Sequence, residues 1–590
     1  MLTKSLTPSK EQTPEVLPIL LGLFGAIFFI YWQVPSFGLL SYDDNHLPLV
    51  PGIEKGLSLD ICQFAFANHV NGLWQPLTIL SFALEAQLFG FKPGMMHLTN
   101  VWLHLLNCFL CFRVVMLVTR SKNFACFCAL AMAVHPSNVE VVAWITERKG
   151  LLAASFFWGS LLTFDRFVQT RDFRAYCLAI ILFAASLLSK GVGAAGGLVF
   201  LLLLRSNLLF KTPERCENRF PTWRSISLLV FPFFFIGAVY AGSIAAAQQA
   251  SGNIPQYADL SIDYRLSNPL GALVVYCAKA LVPVHTSPLY PHYFVHQQLP
   301  LLGLIAGIVL GMYFLLRAFA DNEIAFGILF FLCFISPVLQ FTPIGPQSIA
   351  DRYLYLPTIG ILIATRSVFC KFVSNRMLSS RVILPAAAAV WLLSSLVFSV
   401  RYVRNWSDDE AFFTMMAKRV SNHPLPLNNL GLHYLRTGKF DAGSNLLAKS
   451  LVIDNNYRPV FINMASGIMR GVSFSVLDRS LKQAGFREEF RFAIFKRVIV
   501  EIIVLYGPLR HQHLGEADLF VSDFIKTYPQ TSDHLTAFLS ASVATYMGHK
   551  PTTDGLRAPF DTDFAKDRTG LLLNLAPESK RKLLRIRYQK

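Results

Sequence analysis

The chain has 590 residues, 53% of them hydrophobic and 15% charged, with a net charge of +17. A soluble domain of this size would not carry that balance, and the positive mean hydropathy makes this a polytopic membrane protein. The cationic excess does not point to nucleic acid, because in a membrane chain Lys and Arg collect in cytoplasmic loops and against anionic lipid. Cys108, Cys111, Cys126, Cys128, Cys177, Cys333 and Cys370 fall inside apolar runs, where they act as small apolar residues. Neither a disulfide framework nor a zinc spacing is visible, and Cys108 and Cys111 form a CxxC by chance.

Met1 to Pro14 is polar, and the apolar run Val16 to Leu40 is too long for a signal-peptide core and long enough to span. With no Ala-x-Ala cleavage pattern after it, the N-terminus is expected in the cytoplasm. The sequence Ser41-Tyr42-Asp43-Asp44-Asn45-His46 then emerges on the far side. Further apolar runs at 95–118, 123–142, 149–168, 175–189, 191–206, 225–247, 299–318, 324–341, 353–372 and 382–400 bring the expected total to about eleven spans. Threaded alternately, they place Arg120 and Lys122, Arg171 to Arg174, the 205–224 loop and the 371–381 loop on one side, which the Lys/Arg bias makes the cytoplasm. The segment 268–284, with Lys279, Pro283 and His285, reads as an in-plane helix on the outer face. The predicted fold is an all-α transmembrane helical bundle over residues 1–400, followed by an extracytoplasmic helical domain over 401–590.

The same threading gathers Asp43 and Asp44, Asn71 to Pro76, His135 to Lys149, Lys190, Lys279 with His285, and Gln347 to Tyr355 on the opposite side. Scattered structural polar groups would fall on both faces, so this segregation argues for one extracytoplasmic site. In the stretch from His135 to Lys149, a helix from Val139 would put Glu140, Trp144, Glu147 and Arg148 on one face. Arg148 and Lys149 would then offer adjacent cations at the depth of a lipid phosphate, or simply anchor a span among headgroups. Asp351-Arg352 either steadies its loop as an ion pair or orients a phosphate or sugar, with Tyr353 and Tyr355 as an apolar wall. Lys190, between two short apolar runs, requires an anionic partner at that depth, and the glycines after it permit close helix packing. His97, Asn100, His104 and Asn107 form one polar stripe on the second span, suited to bonding neighbouring helices, with His97 nearest the outer mouth. Asp43 and Asp44 are able to cap a helix, accept a proton or bind a divalent cation such as Mg or Mn.

The order of these features resembles the GT-C glycosyltransferases. It comprises the first span, Tyr42-Asp43-Asp44, Trp74-Gln75-Pro76-Leu77-Thr78, Phe89-Gly90, His97 with Asn100 and His104, His135-Pro136, Glu140, Glu147-Arg148-Lys149 and Asp351-Arg352-Tyr353 with Tyr355 and Pro357. Among that superfamily the transmembrane and tetratricopeptide-repeat O-mannosyltransferases and their bacterial relatives are the most similar. The resemblance implies a sugar moved with inversion from a polyprenyl-phosphate carrier to an acceptor on the outer face, one of Asp43 and Asp44 acting as general base. Arg148, Lys149, Lys190 and Arg352 would then offset charge on the leaving phosphate, with His135, Glu140, Glu147, Asp351 and Tyr353 around the donor and Trp74, His97 and Tyr355 as pocket wall. The stretch Lys190-Gly191-Val192-Gly193 departs from the family's Lys-Pro pattern, so mannose is not carried over.

Past Val400 the composition becomes soluble, with Trp406 as an expected interface anchor. Residues 427–460 fit one tetratricopeptide unit through Leu430, Gly431, Tyr434, Gly438, Phe440, Leu447 and Asn455. One period further on, Met464, Ala465 and Ile468 mark a degenerate second unit, and the basic tail Lys580 to Arg587 closes the chain. A repeat domain beside a transferase site suits a protein acceptor. An O-antigen ligase or polymerase would instead not need the acidic pair, and a transporter or scaffold would place its charges at mid-membrane. The short array and the lone sequon Asn405-Trp406-Ser407 favour a bacterial inner membrane, with the endoplasmic reticulum membrane as the alternative.

Overall fold

The computed structural model describes residues 16–70, 73–205, 223–251, 262–282, 286–292, 311, 321–341, 347–374, 380–506 and 527. The expected span at 299–318 lies outside them save for Gly311, as do most of the 205–224 loop, Asn71, Pro283, His285 and the basic tail. The described residues are helical almost throughout, and their one sheet pairs Tyr290–Pro291 with Gln347–Ile349 in antiparallel register. The chain divides into two compact units, Met1–Val420 and Ser421–Lys590.

The first unit contains α1 (Val16–Tyr31), α2 (Leu59–Ala67), α3 (Pro76–Phe89), α4 (Pro93–Thr119), α5 (Lys122–Val134), α6 (Pro136–Ala143), α7 (Arg148–Thr170), α8 (Phe173–Ser189), α9 (Gly197–Arg205), α10 (Trp223–Ser251) and α11 (Ile262–Leu281). It continues with α12 (Asn322–Ile335), α13 (Pro357–Ser374), α14 (Ser380–Val403) and α15 (Asp409–Arg419). Among the described residues five segments are long and apolar enough to cross a membrane: Val16–Ser36, Pro93–Thr119, Ile145–Thr170, Ile226–Ala246 and Pro385–Trp406. The pair α5 and α6, bent by 59°, makes a sixth if it crosses as one. Where further spans were expected, α8, the 193–204 segment and α12 are shorter apolar helices. The protein is thus an all-α multi-pass membrane protein.

Lipid tails are as apolar as the helices, so what holds the bundle is close packing and interhelical hydrogen bonding. Ser160 and Ser186 bond α7 to α8 through the carbonyls of Ala179 (2.6 Å) and Ala153 (2.8 Å). Phe157, Phe183, Phe200, Phe233 and Phe334 interlock, with Phe157 and Phe334 edge to face at 4.7 Å between ring centres. The glycines after Lys190 act as anticipated: a side chain at Gly191 would collide with the Tyr240 ring on α10. The cysteines are packing residues too, since Cys108, Cys111, Cys128 and Cys333 are buried and unbonded to one another.

Residues 401–420, expected to open the soluble domain, fall instead within the first unit. Trp406 is fully buried and packs on Phe412 and Trp144, so it is a core residue and not an interface anchor.

In the second unit α16 (Pro424–Arg436) and α17 (Phe440–Ile453) form one helical hairpin, followed by α18 (Arg458–Ile468), α19 (Phe474–Gln483) and α20 (Glu488–Tyr506). Arg458 lies one 34-residue period beyond Pro424. Of the positions that the sequence period aligned, Leu430, Gly431, Met464, Ala465 and Ile468 are buried and Tyr434 is half-buried.

Gly327 on α12 and Gly360 on α13 meet so closely that a Cβ at Gly327 would lie 2.5 Å from the Gly360 carbonyl oxygen and 2.6 Å from the Ala364 nitrogen. Because both obstacles are backbone, Gly327→Ala is expected to destabilise the detergent-purified protein by about 1–3 kcal/mol. Thermal unfolding against the wild type checks this, and an unchanged midpoint would contradict the packing.

Candidate functional site

The site begins with a break. The chain rises through α6, leaves helical geometry at Trp144 (φ −91°, ψ 117°), makes a 3₁₀ turn at Ile145–Glu147 and re-enters a helix at Arg148. A break inside a bundle frees backbone groups that must find partners. Asn100 on α4 donates to the carbonyls of Trp144 (3.2 Å) and Ile145 (3.3 Å), and the amide of Thr146 donates to Asp44 (3.0 Å). The other oxygen of Asp44 accepts from the Leu40 amide at 3.1 Å, so one buried carboxyl joins the loop after α1 to the break.

This geometry corrects one expectation. Glu140, Trp144, Glu147 and Arg148 do not share a helical face, because the helix they would share is interrupted between them. Arg148 turns inward, fully buried: its Nη2 meets Glu85 of α3 at 2.7 Å and the Met96 carbonyl at 2.8 Å, its Nε donates to Asn100, and its guanidinium lies 4.0 Å above the Phe82 ring. Thr99 also donates to Glu85. Arg148 therefore does not line the pocket beside Lys149.

Lys149 does. A cavity of 890 Å³ is lined by Asp43, Glu147, Lys149, Lys190, Arg352 and Tyr353, with His46, Gln75, Trp144 and Gln347 around them. Glu147 receives Lys190 at 2.6 Å, Lys149 at 3.4 Å and Arg352 at 3.8 Å, and Arg352 also bonds Glu140 at 2.6 Å. The carboxylates sit behind, 1% and 0% exposed, while the three cations are 10–13% exposed on the cavity side. Aromatic faces steady them: Arg352 lies over Trp144 (5.5 Å) and Tyr353 (5.0 Å), and Lys190 over Tyr353 (5.8 Å). Away from the charges the wall becomes apolar, through Ala241, Ile244 and Ala245 of α10 with Val338 and Phe341.

The two aspartates separate in role. Asp44 is a buried structural acceptor whose carboxyl burial pushes up to about 7 against the two amides that favour its charge. Asp43 faces the cavity, half-buried; burial raises its carboxyl above the ordinary value while Lys149 and Arg352 pull it back.

The remaining predicted residues support the site from outside the cavity. His97 bonds the Gly38 carbonyl, and His104 bonds Tyr355 at 2.8 Å, so the polar stripe of α4 is a set of interhelical contacts. His135 caps α6 through the Ser137 amide. Asp351 holds the turn that carries Arg352, taking Lys279 (3.0 Å), Tyr290 (2.7 Å) and the Ser287 amide (3.0 Å). Trp74 stacks on Tyr240 and accepts its hydroxyl at the backbone carbonyl, fixing one cavity wall. Glu85 went unnoticed in the sequence, although an arginine bound for a helical interior calls for an acid. Among the described residues no three His, Cys, Asp or Glu side chains cluster as a metal site, and the cavity is crowded with cations. The donor set does not fit a Mg or Mn ion.

Fold and cavity define a multi-pass membrane protein with a cationic pocket, one free-facing carboxylate and an apolar wall. The chain is 32% identical over 179 residues to "Protein O-mannosyl-transferase Tmtc1" of Drosophila melanogaster, covering 29% of this chain and 21% of that protein. It is 36% identical over 125 residues to "Protein O-mannosyl-transferase TMTC1" of Mus musculus (20% and 13%) and 32% identical over 93 residues to "Protein O-mannosyl-transferase TMTC3" of Homo sapiens (16% and 10%). It resembles these membrane glycosyltransferases while spanning about a fifth of the length of the first and less of the others. No family model and no solved structure matches the chain.

The Arg148 and Glu85 pair is expected to act as a buried pillar under the cavity. Glu85→Ala strands a buried guanidinium and should cost about 3–5 kcal/mol, whereas the double replacement Glu85→Met with Arg148→Met should recover most of it. A double-mutant cycle by thermal unfolding, closed with the single variants Glu85→Met and Arg148→Met, measures the coupling; a double-variant loss equal to the sum of the two single losses would dismiss it.

Proposed function

We propose that this cavity transfers a sugar from a polyprenyl-phosphate carrier to a hydroxyl of a protein acceptor, inverting the anomeric carbon, on the extracytoplasmic face. One observation carries the reading: Asp43 shares a single cavity with Lys149, Lys190 and Arg352, residues from distant parts of the chain. A glycosyl phosphate needs positive charge where its leaving group departs and a base where its nucleophile arrives.

In the reaction the acceptor oxygen attacks the anomeric carbon from the side opposite the phosphate. The bond from that carbon to the phosphate oxygen breaks, and its electron pair stays on the phosphate. The acceptor proton passes to Asp43 and is later lost to water. Lys149, Lys190 and Arg352 stabilise the departing phosphate, while Glu147 and Glu140 hold them in place. The wall formed by Ile244, Ala245, Val338 and Phe341 suits an isoprenoid chain. Arg148 contributes by fixing the start of α7, not by touching phosphate. No step runs through a metal.

The named activity of the matched relatives supports glycosyl transfer to protein, as does the GT-C-like order of motifs. The sugar stays unassigned, because the Gly-rich stretch after Lys190 shapes the wall opposite Tyr240 in its own way. The charge bias of the loops supports a cavity on the extracytoplasmic side, in our reading the periplasm of a bacterium, with the lumen of the endoplasmic reticulum as the alternative. The helical hairpins of the second unit, with their tetratricopeptide period, would receive the acceptor protein.

Asp43→Asn is expected to lower kcat by about 10²- to 10⁴-fold with donor binding within a few-fold of wild type. The assay is transfer from a polyprenyl-phosphate hexose to a serine/threonine peptide. Wild-type turnover in that variant would remove the base assignment. The sign of the pH effect follows: the base form of Asp43 is lost as pH falls through its pKa, and burial raises that pKa. The acid limb of kcat should therefore lie above the ordinary aspartate value of about 3.9, and a flat profile down to that value would speak against it.

A further inference from the structure

We propose that α15 positions the Asp43 carboxylate, with Asp409 and Phe412 as positioning residues for transfer; this rests on Asp43 being the base. The backbone from Phe37 to Leu40 has no regular structure and Ser41 to Asp43 forms a turn; locally only the Asp43 backbone is tied, its carbonyl accepting the His46 amide at 3.0 Å, and the side chain makes no cap. What fixes it comes from far along the chain. The Ser41 amide donates to Asp409 Oδ1 at 2.7 Å, across 368 residues, and the Gly38 amide reaches the Ser407 carbonyl at 3.5 Å. The Tyr42 ring lies between Phe412 (5.4 Å) and Trp144 (5.1 Å), and Trp406 closes the set against both, at 4.8 and 6.1 Å.

On the other side of Asp43, Asp44 is bound to Thr146. The reactive carboxylate is thus the one residue in Ser41–Asp44 whose side chain faces the cavity, and its neighbours on both sides are held by separate elements. α15 is itself rigid enough to serve as the fixed jaw: Asp408 caps it through the Ala411 amide at 2.9 Å, and Phe412, Phe413 and Met416 are buried. A carboxylate accepting a backbone amide is a strong, directional bond. A reacting group displaced by about 1 Å loses on the order of a hundredfold in rate, so the clamp bears on turnover more than on donor binding.

The test uses the full chain in detergent or nanodiscs. Asp409→Ala should lower kcat by roughly ten- to a hundredfold with donor KM nearly unchanged. Its acid limb should move to lower pH, because a released loop lets water reach Asp43. Asp409→Asn keeps an oxygen acceptor for the Ser41 amide and loses only the charge, so it should recover most of the rate. Phe412→Leu should likewise do better than Phe412→Ala. A second measurement does not depend on turnover: in an Asp43→Cys background, labelling by a charged maleimide should speed up about tenfold when Asp409→Ala is added. Wild-type kcat and pH profile in Asp409→Ala, a loss of active molecules with the acid limb unmoved, or unchanged labelling would each overturn the clamp. Full transfer by Asp43→Asn would instead overturn the base assignment, while the labelling result still reports whether α15 holds the loop.

Discussion

The site depends on one carboxyl, Asp44, which accepts the amides of Leu40 and Thr146 and so ties the loop after the first span to the break between α6 and α7. The break needs that bond, since an interrupted helix inside a bundle exposes donors and acceptors that lipid cannot satisfy. Asn100 completes the arrangement by taking the two freed carbonyls. The consequence is directional. In an unbroken helix Arg148 would sit one turn beyond Trp144 on the same face; with the turn inserted, Arg148 points into the bundle and Lys149 into the cavity. A carboxyl outside the cavity therefore decides which cation lines it.

Much of this was legible in the chain. The helical bundle follows from hydropathy, and the meeting of Asp43, Glu147, Lys149, Lys190 and Arg352 in one cavity agrees with the single site expected from the ordered motifs. Lys190 has the anionic partner that its depth demanded, Glu147. The helical face from Glu140 to Arg148 was misread for a physical reason: no Pro or Gly marks Trp144, and the groups that stabilise the break lie on other elements. Glu85, Asp409 and Phe412 were equally silent, because each acts through a contact of long sequence separation. Trp406 read as an interface residue because the polarity of its neighbours changes there, yet the first unit continues to Val420.

Pairing within the bundle and pairing at the cavity obey different arithmetic. Behind the cavity Arg148 pairs with Glu85 and Lys279 with Asp351, as burial requires of charges cut off from water. At the cavity three cations converge on two carboxylates, Glu147 and Glu140, with Asp43 the third acid in the space but in no ion pair with them. The balance therefore hinges on the protonation of Asp43. While it is ionised, the three cations face three carboxylates. In the transfer we propose, Asp43 would take the acceptor proton and one positive charge would lose its counterpart, at the step in which negative charge grows on the leaving phosphate. On that proposal proton transfer and leaving-group stabilisation would be one electrostatic event, joined by the half-buried position of Asp43, close enough to be felt by Lys149 and Arg352 without being bound to either.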